Sequence, residues 1–328
     1  MNRSGNTWAI VLAAGEGSRL QSLTMTESGV AIPKQFCSLY DGDSLLRETL
    51  RRAESIARPE NICIVVARQH NQWWSNELRS ELTTNIIVQP RNCGTAIGIL
   101  LPLLRIRARD PDARIVLLPS DHHVRDESIL AKALKRMQRE LEARRNKIFL
   151  LGISPEYADP EMGYIVPGDA DQPGVSIVAR FVEKPSAPLA RNLISAGALW
   201  NALIVSTYLP TLLQIFVHRF PRFVAEMHAA VEQTPCTADS PDAVVNLYQR
   251  LPDLDFSRQI LQNNESILRV LRVDGCGWSD LGTPKRVAET LRKLQRLDHV
   301  ADHPQHRRSG LLSLAAQHCR LQTEESPD

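Results

Sequence analysis

Short apolar runs alternate with amphipathic stretches through the first half of the chain. Trp8–Ala13 (WAIVLA), Ile62–Ala67 (ICIVVA), Ile86–Gln89, Ala113–Pro119 (ARIVLLP) and Ile148–Ile153 each read as a buried strand. Between them, Leu45–Ile56 has helical spacing, and helices are predicted over Gly94–Ala108 and Ser128–Arg145. Strands that are apolar throughout need cover on both faces. The pattern therefore predicts an α/β fold, Rossmann-like, with a mixed but mainly parallel sheet flanked by helices. In such sheets crossovers are right-handed and ligands collect beyond the carboxyl ends of strands.

From Tyr164 the pattern changes. Gly163–Pro167, Val175–Glu183 and Leu199–Val205 are predicted as strands of a mixed or antiparallel extension, followed by one helical segment over Tyr208–Val231. Thr234–Pro241 reads as a loop, Ile267–Val273 as a late strand and Pro284–Leu297 as a late helix. Residues 299–328 are polar and predicted to form a flexible tail. His299, His303 and His306 have a metal-like spacing there, but Pro304 interrupts any helix, so a solvated tail is the better reading.

Composition narrows the class. The 328 residues are 43% hydrophobic and 23% charged, which suits a globular protein with a sizeable core. A net charge of +2 gives no global field favouring nucleic acid or membrane, so any anion site must be local. The six cysteines are scattered with no Cys-x-x-Cys, which argues against a disulfide framework or a zinc site. The opening stretch does not read as a signal peptide, and no run approaches the length of a membrane span. The expected compartment is the cytoplasm.

Candidate chemistry sits just after the strands. Leu12-Ala-Ala-Gly-Glu-Gly-Ser-Arg-Leu20 runs a strand into a Gly-x-Gly turn. Glycine lets backbone N–H groups approach a phosphate closely, and Arg19 adds a fork of donors suited to it. The turn lacks the third glycine of a dinucleotide fingerprint and is not a P-loop. Lys34, in Pro33-Lys-Gln-Phe36, follows a polar segment that is expected to be a mobile loop.

Together these two elements resemble the sugar-1-phosphate nucleotidyltransferases (nucleotide-sugar pyrophosphorylases). Pro-Lys-Gln-Phe is the form favoured by bacterial mannose-1-phosphate guanylyltransferases. Later segments agree in order: Pro90-Arg-Asn-Cys-Gly-Thr-Ala96, Leu118-Pro-Ser-Asp-His122, Phe181-Val-Glu-Lys-Pro185, Trp200-Asn201 and Gly277-Trp-Ser-Asp-Leu-Gly282. The resemblance covers about residues 8–290.

It implies a sheet of the nucleotide-diphospho-sugar transferase type with a small C-terminal extension, and a catalytic domain over residues 1–298 whose sugar-binding half begins near 160. It also implies transfer from GTP to a hexose 1-phosphate, with mannose 1-phosphate favoured. Both reactants are anions, so the enzyme's task is to hold them in line and cancel their repulsion. By resemblance Asp121 and Asp280 hold Mg²⁺, Arg19 and Lys34 grip the triphosphate, and Lys184 grips the sugar phosphate. Nucleotide contacts are expected from Ala13, Gly15, Gly17, Ser18, Gln89, Asn92, Gly94 and Thr95, and sugar contacts from Gly163, Glu183 and Asn201. A turn or helix-cap role for either aspartate stays open. His122 and His123 need not act as bases, because the attacking oxygen already carries charge.

Some positions depart from the pattern. Ala202-Leu203 replaces the Ser-Gly expected after Trp-Asn, and Pro160-Glu-Met162 precedes Gly163 where Thr-Gly-Tyr is common. Glu16, Ser18 and Gln21-Ser-Leu-Thr24 also differ from the commoner forms. These weaken the choice of mannose more than the choice of reaction. UTP or dTTP with glucose 1-phosphate, an isoprenoid-pathway cytidylyltransferase, a phosphoesterase built on Asp121-His-His123, and a catalytically silent nucleotide-sugar sensor remain alternatives. The fused isomerase domain of some relatives is not expected within this length. A homo-oligomer is left open.

Overall fold

β1 (Thr7–Ala13), β2 (Ile62–Ala67), β3 (Ile86–Gln89) and β4 (Arg114–Pro119) pair in parallel, and every position but Thr7, Leu12 and Arg114 is buried. The computed structural model describes residues 6–26, 29–39, 42–81, 85–232 and 242–298. The loop predicted over Thr234–Pro241 and the tail from 299, with its three histidines, lie outside them.

The strands are apolar throughout because each side chain faces one of two cores. In β1, Trp8 and Ile10 enter one core while Ala9, Val11 and Ala13 enter the other, the alternation a strand imposes. The first core is roofed by α4 (Gly94–Arg109), α7 (Leu209–Arg219), α8 (Pro221–Glu232) and α9 (Asp242–Tyr248). The second is roofed by α2 (Leu45–Glu54), α5 (Glu127–Glu142) and α6 (Ala187–Ser195). Each leucine buried this way contributes roughly 1.5–3 kcal/mol. Ser44 and Asp126 cap α2 and α5, accepting from the N–H groups of Arg47 and of Ser128 and Ile129.

The sheet order is β3-β2-β1-β4-β9-β6-β10-β8-β7, with β6 (Ile148–Ile153), β7 (Gly163–Gln172), β8 (Val175–Glu183), β9 (Leu199–Tyr208) and β10 (Leu268–Val273). The mixed, mainly parallel sheet agrees with the sequence reading, but β9 is no peripheral extension. It inserts between β4 and β6, antiparallel to both. The helix expected over Tyr208–Val231 is two helices broken at Phe220, because Pro221 lacks an N–H and begins α8. The short helices α1 (Gln21–Thr24) and α3 (Asn71–Glu77) were not anticipated.

A separate two-stranded ribbon was also unexpected. It pairs β5 (His123–Val124) with β11 (Trp278–Ser279). The antiparallel register sets Ser279 against His123, so the next residue along, Asp280, falls level with His122. α10 (Pro284–Asp298) follows, and Val287 and Leu291 pack with Leu20, Leu23, Leu39, Leu45 and Leu281 in a third, smaller core. That core ties the segment after the glycine turn to the Asp280 turn. No described helix is long and apolar enough to cross a membrane.

Candidate active site

The carboxyl ends of β1, β3 and β4, the start of β9 and the β7–β8 hairpin end surround a cleft of about 410 Å³. Of the residues singled out in the sequence, Gly15, Arg19, Gln89, Asn92, Gly94, Thr95, Asp121, Gly163, Glu183, Lys184, Asn201 and Asp280 line it. Ala13, Gly17, Ser18 and Lys34 do not. Ala13 is buried, and its carbonyl, like that of Gly15, accepts from the Gln35 amide, which pins the glycine turn from below. Gly17 sits at φ 62°, and a Cβ there would lie 3.1 Å from the Lys34 backbone N, so the turn packs directly on the Pro-Lys-Gln segment.

Lys34 is only 7% exposed. Its ammonium lies 3.0 Å from Asp121 Oδ2 and donates to the Asp280 carbonyl at 2.5 Å. It therefore fastens the two aspartate segments together instead of presenting itself to the cleft. The Asp121 side chain remains 44% exposed. Burial works against its ionisation, but Lys34 and His122 more than offset this and draw the carboxyl down to about 2. The Asp280 carboxylate is held by Arg286, whose other nitrogen lies 2.6 Å from Asp159 Oδ2.

The three residues expected around the sugar meet because the strand register demands it. Gly163 pairs with Glu183, and Tyr164 with Trp200. A Cβ on Gly163 would lie 2.5 Å from Glu183 Oε2 and 3.3 Å from Asn201 Cβ, so a side chain there would push the Glu183 carboxylate aside. Burial and the nearby Asp255 raise the Glu183 carboxyl to about 7 against the pull of Lys184 and Arg258. Asn201 donates to Ser257 Oγ at 3.3 Å and accepts from the Leu203 N–H at 3.0 Å, which fixes its amide. Lys184 and Leu203 sit at φ 48° and 54°, a region costly for non-glycine residues, and both line the cleft.

On the opposite wall, α4 begins at Gly94 with φ 81°. Two of its leading N–H groups are satisfied by the chain itself, Asn92 Oδ1 accepting from Gly94 N and Leu254 O from Ala96 N. Thr95 Oγ1 accepts from Phe256 N, which ties the helix start to the 253–256 segment. Gln89 is buried beneath this corner, and its Oε1 has no partner among the described residues.

A family model described as nucleotidyl transferase matches residues 8–296. The chain belongs to the nucleotidyl transferase family. It is 28% identical over 291 residues to a mannose-1-phosphate guanylyltransferase 2 of Escherichia coli O157:H7, covering 84% of this chain and 58% of that protein. It is 30% identical over 254 residues to a mannose-1-phosphate guanylyltransferase of Salmonella muenchen, covering 76% and 49%. The chain thus spans about half to three-fifths of the length of these relatives. Among solved structures, a Thermus thermophilus protein described as a mannose-1-phosphate geranyltransferase superposes with a TM-score of 0.69 at 27% identity, covering 84% of this chain and 76% of that one.

Within this nucleotidyl transferase, several cleft residues escaped the sequence reading. Glu161 pairs with Arg19 across the mouth at 3.2 Å, and Asp253, Asp255 and Ser257 line the wall beside α4. Arg286 and Asp159 sit behind Asp280. Of these, only Glu161 stands out in the sequence, as part of a departure from the expected loop; the others lie in stretches that read as ordinary polar chain. His122 lines the cleft, with Nε2 3.5 Å from Asp121 Oδ1, whereas His123 is buried. His122 Nδ1 accepts from Trp278 Nε1 at 3.3 Å. Burial and the charges of Arg52 and Arg125 lower His123 to about 4, so it is neutral at ordinary pH.

Proposed function

We infer that this chain transfers a guanylyl group from GTP to mannose 1-phosphate, giving GDP-mannose and pyrophosphate. A phosphate oxygen of the sugar phosphate attacks the α-phosphorus, and the bond to the β-phosphate oxygen breaks. The observation that carries this reading is that Lys34 joins the Asp121 carboxylate to the Asp280 backbone at the floor of one cleft, while Arg19 and Lys184 line its walls.

Arg19 and the glycine turn suit the triphosphate, and Lys184 beside Glu183 and Asn201 suits the sugar phosphate. Lys34 supports this arrangement from below. The Asp121 carboxylate, ionised and partly open to the cleft, is a hard oxygen donor that fits magnesium. Among the described residues no group of three or more His, Cys, Asp and Glu side chains is placed to hold a metal. That fits an ion taking one or two carboxylates and completing its shell with phosphate and water. Asp121 and Asp280 would hold Mg²⁺, which supplies charge neutralisation at the reacting phosphates. The catalytic unit is assigned to residues 1–298.

Two features favour a second reading within the same reaction class. The Gln89 amide offers both donor and acceptor, which suits uracil or thymine as well as guanine. Leu203 adds an apolar wall near the sugar corner. Pyrophosphate release across a matrix of GTP, UTP, dTTP and CTP with mannose and glucose 1-phosphates tests both. Turnover is expected with GTP and mannose 1-phosphate. Turnover only with UTP or dTTP and glucose 1-phosphate overturns the specificity, and no turnover with any pair overturns the reaction.

A further inference from the structure

Arg286 is the most unusual side chain near the cleft. It is charged yet only 6% exposed, and its guanidinium is shared between Asp280, Asp159 and the Met162 sulfur. A guanidinium keeps its charge, and its two nitrogens here serve two carboxylates from segments far apart in sequence. Asp280 thus already has a cation.

We propose that Arg286 is a resident counter-ion that competes with the metal for Asp280, so that metal loading requires Arg286 to release that carboxylate while keeping Asp159. This rests on the assignment of Asp121 and Asp280 as the metal-holding pair. Three observations support the exchange. Asp159 gives Arg286 a second anchor, so it need not become an unpaired buried charge when Asp280 leaves. Arg286 also lines a neighbouring cavity of about 210 Å³, which leaves its guanidinium room to shift. Glu289, three residues along α10 and on the same face, lines that cavity too and offers another carboxylate.

An opposite charge within about 4–6 Å changes a carboxylate's affinity for a proton by about 1–3 log units, and a metal ion at the same oxygen meets the same field. Arg286→Met is therefore expected to tighten Mn²⁺ binding about tenfold or more. Asp159→Asn removes the anchor Arg286 would keep on release, leaving Asp280 as its one paired carboxylate, and is expected to weaken Mn²⁺ binding. A merely structural role for Arg286 would move both variants the same way.

The test is titration of the purified full chain with Mn²⁺ alone, reading free ion by electron paramagnetic resonance, for wild type, Arg286→Met, Asp159→Asn and Asp280→Asn. Opposite shifts in the first two variants, with loss of binding in Asp280→Asn, support the proposal. If Asp280→Asn loses binding but Arg286→Met binds no tighter than wild type, Arg286 is not a competitor, although the metal site stands. If Asp280→Asn leaves binding unchanged, or no protein binds Mn²⁺, the metal assignment fails and the proposal with it. Should Arg286→Met fail to fold, Asp159→Asn carries the test: binding as tight as wild type or tighter overturns the competition.

Discussion

Glu183 holds its proton up to about pH 7 because it is buried beside Asp255. On the proposed assignment, above that pH its carboxylate accepts sugar hydroxyl hydrogen bonds at full strength. The KM for the sugar phosphate is predicted to fall as pH rises from 6 to 8, and Glu183→Gln is predicted to flatten that dependence; an unchanged profile in the variant would remove Glu183 from the sugar corner. Stability runs the other way. A carboxyl whose folded value lies above its ordinary 4.5 keeps a proton that the unfolded chain has lost, so folding loses stability as pH rises from about 4.5 to about 7. Glu183→Gln should therefore raise the thermal midpoint at pH 8 and leave it unchanged at pH 4. Asp121→Asn and Asp280→Asn should each lower kcat by on the order of 100-fold or more with the fold retained, checked by steady-state kinetics and circular dichroism. Lys184→Ala should raise the KM for sugar phosphate about tenfold or more and barely move that for the nucleotide. Equal losses for both substrates would count against its assignment. At this scale the motif residues were legible because short motifs keep their order along the chain. Arg286 was not, since its pairing with Asp159 spans 127 positions and leaves no local trace.

The elements reveal why one glycine cannot change. Gly94 opens α4 at φ 81°, and a Cβ there would come within 2.2 Å of Asp253 Oδ1 and 2.4 Å of Leu254 O. Gly94→Ala is predicted to cost about 2–4 kcal/mol, from the left-handed backbone plus displacement of the 253–256 segment. Urea unfolding measures this directly, and a loss below about 0.5 kcal/mol would contradict it. Strands β1 to β4 and β6 were legible because burial on both faces leaves a nearly unbroken apolar run. The position of β9 was not, since a run of apolar residues does not encode which neighbours it pairs with. The break at Phe220 was legible in principle, because Pro221 marks it.

The molecule as a whole brings chemistry together through three devices. Lys34 links the floor, the small core of Leu20, Leu281 and Leu291 fastens α10 to the first loop, and the β5–β11 ribbon sets the two aspartate segments side by side. Lys34 and β11 lie within motifs, but what joins each device is contact between distant segments, which no motif spells out. That is why the sequence could name many residues of the cleft but not the scaffold that joins them. The most direct measurement is the anomalous diffraction of Mn²⁺ in crystals grown with GDP-mannose. One ion coordinated by both Asp121 and Asp280 and by the product's phosphates is the expected result. An ion bound elsewhere, or a product lying outside this cleft, would contradict the account.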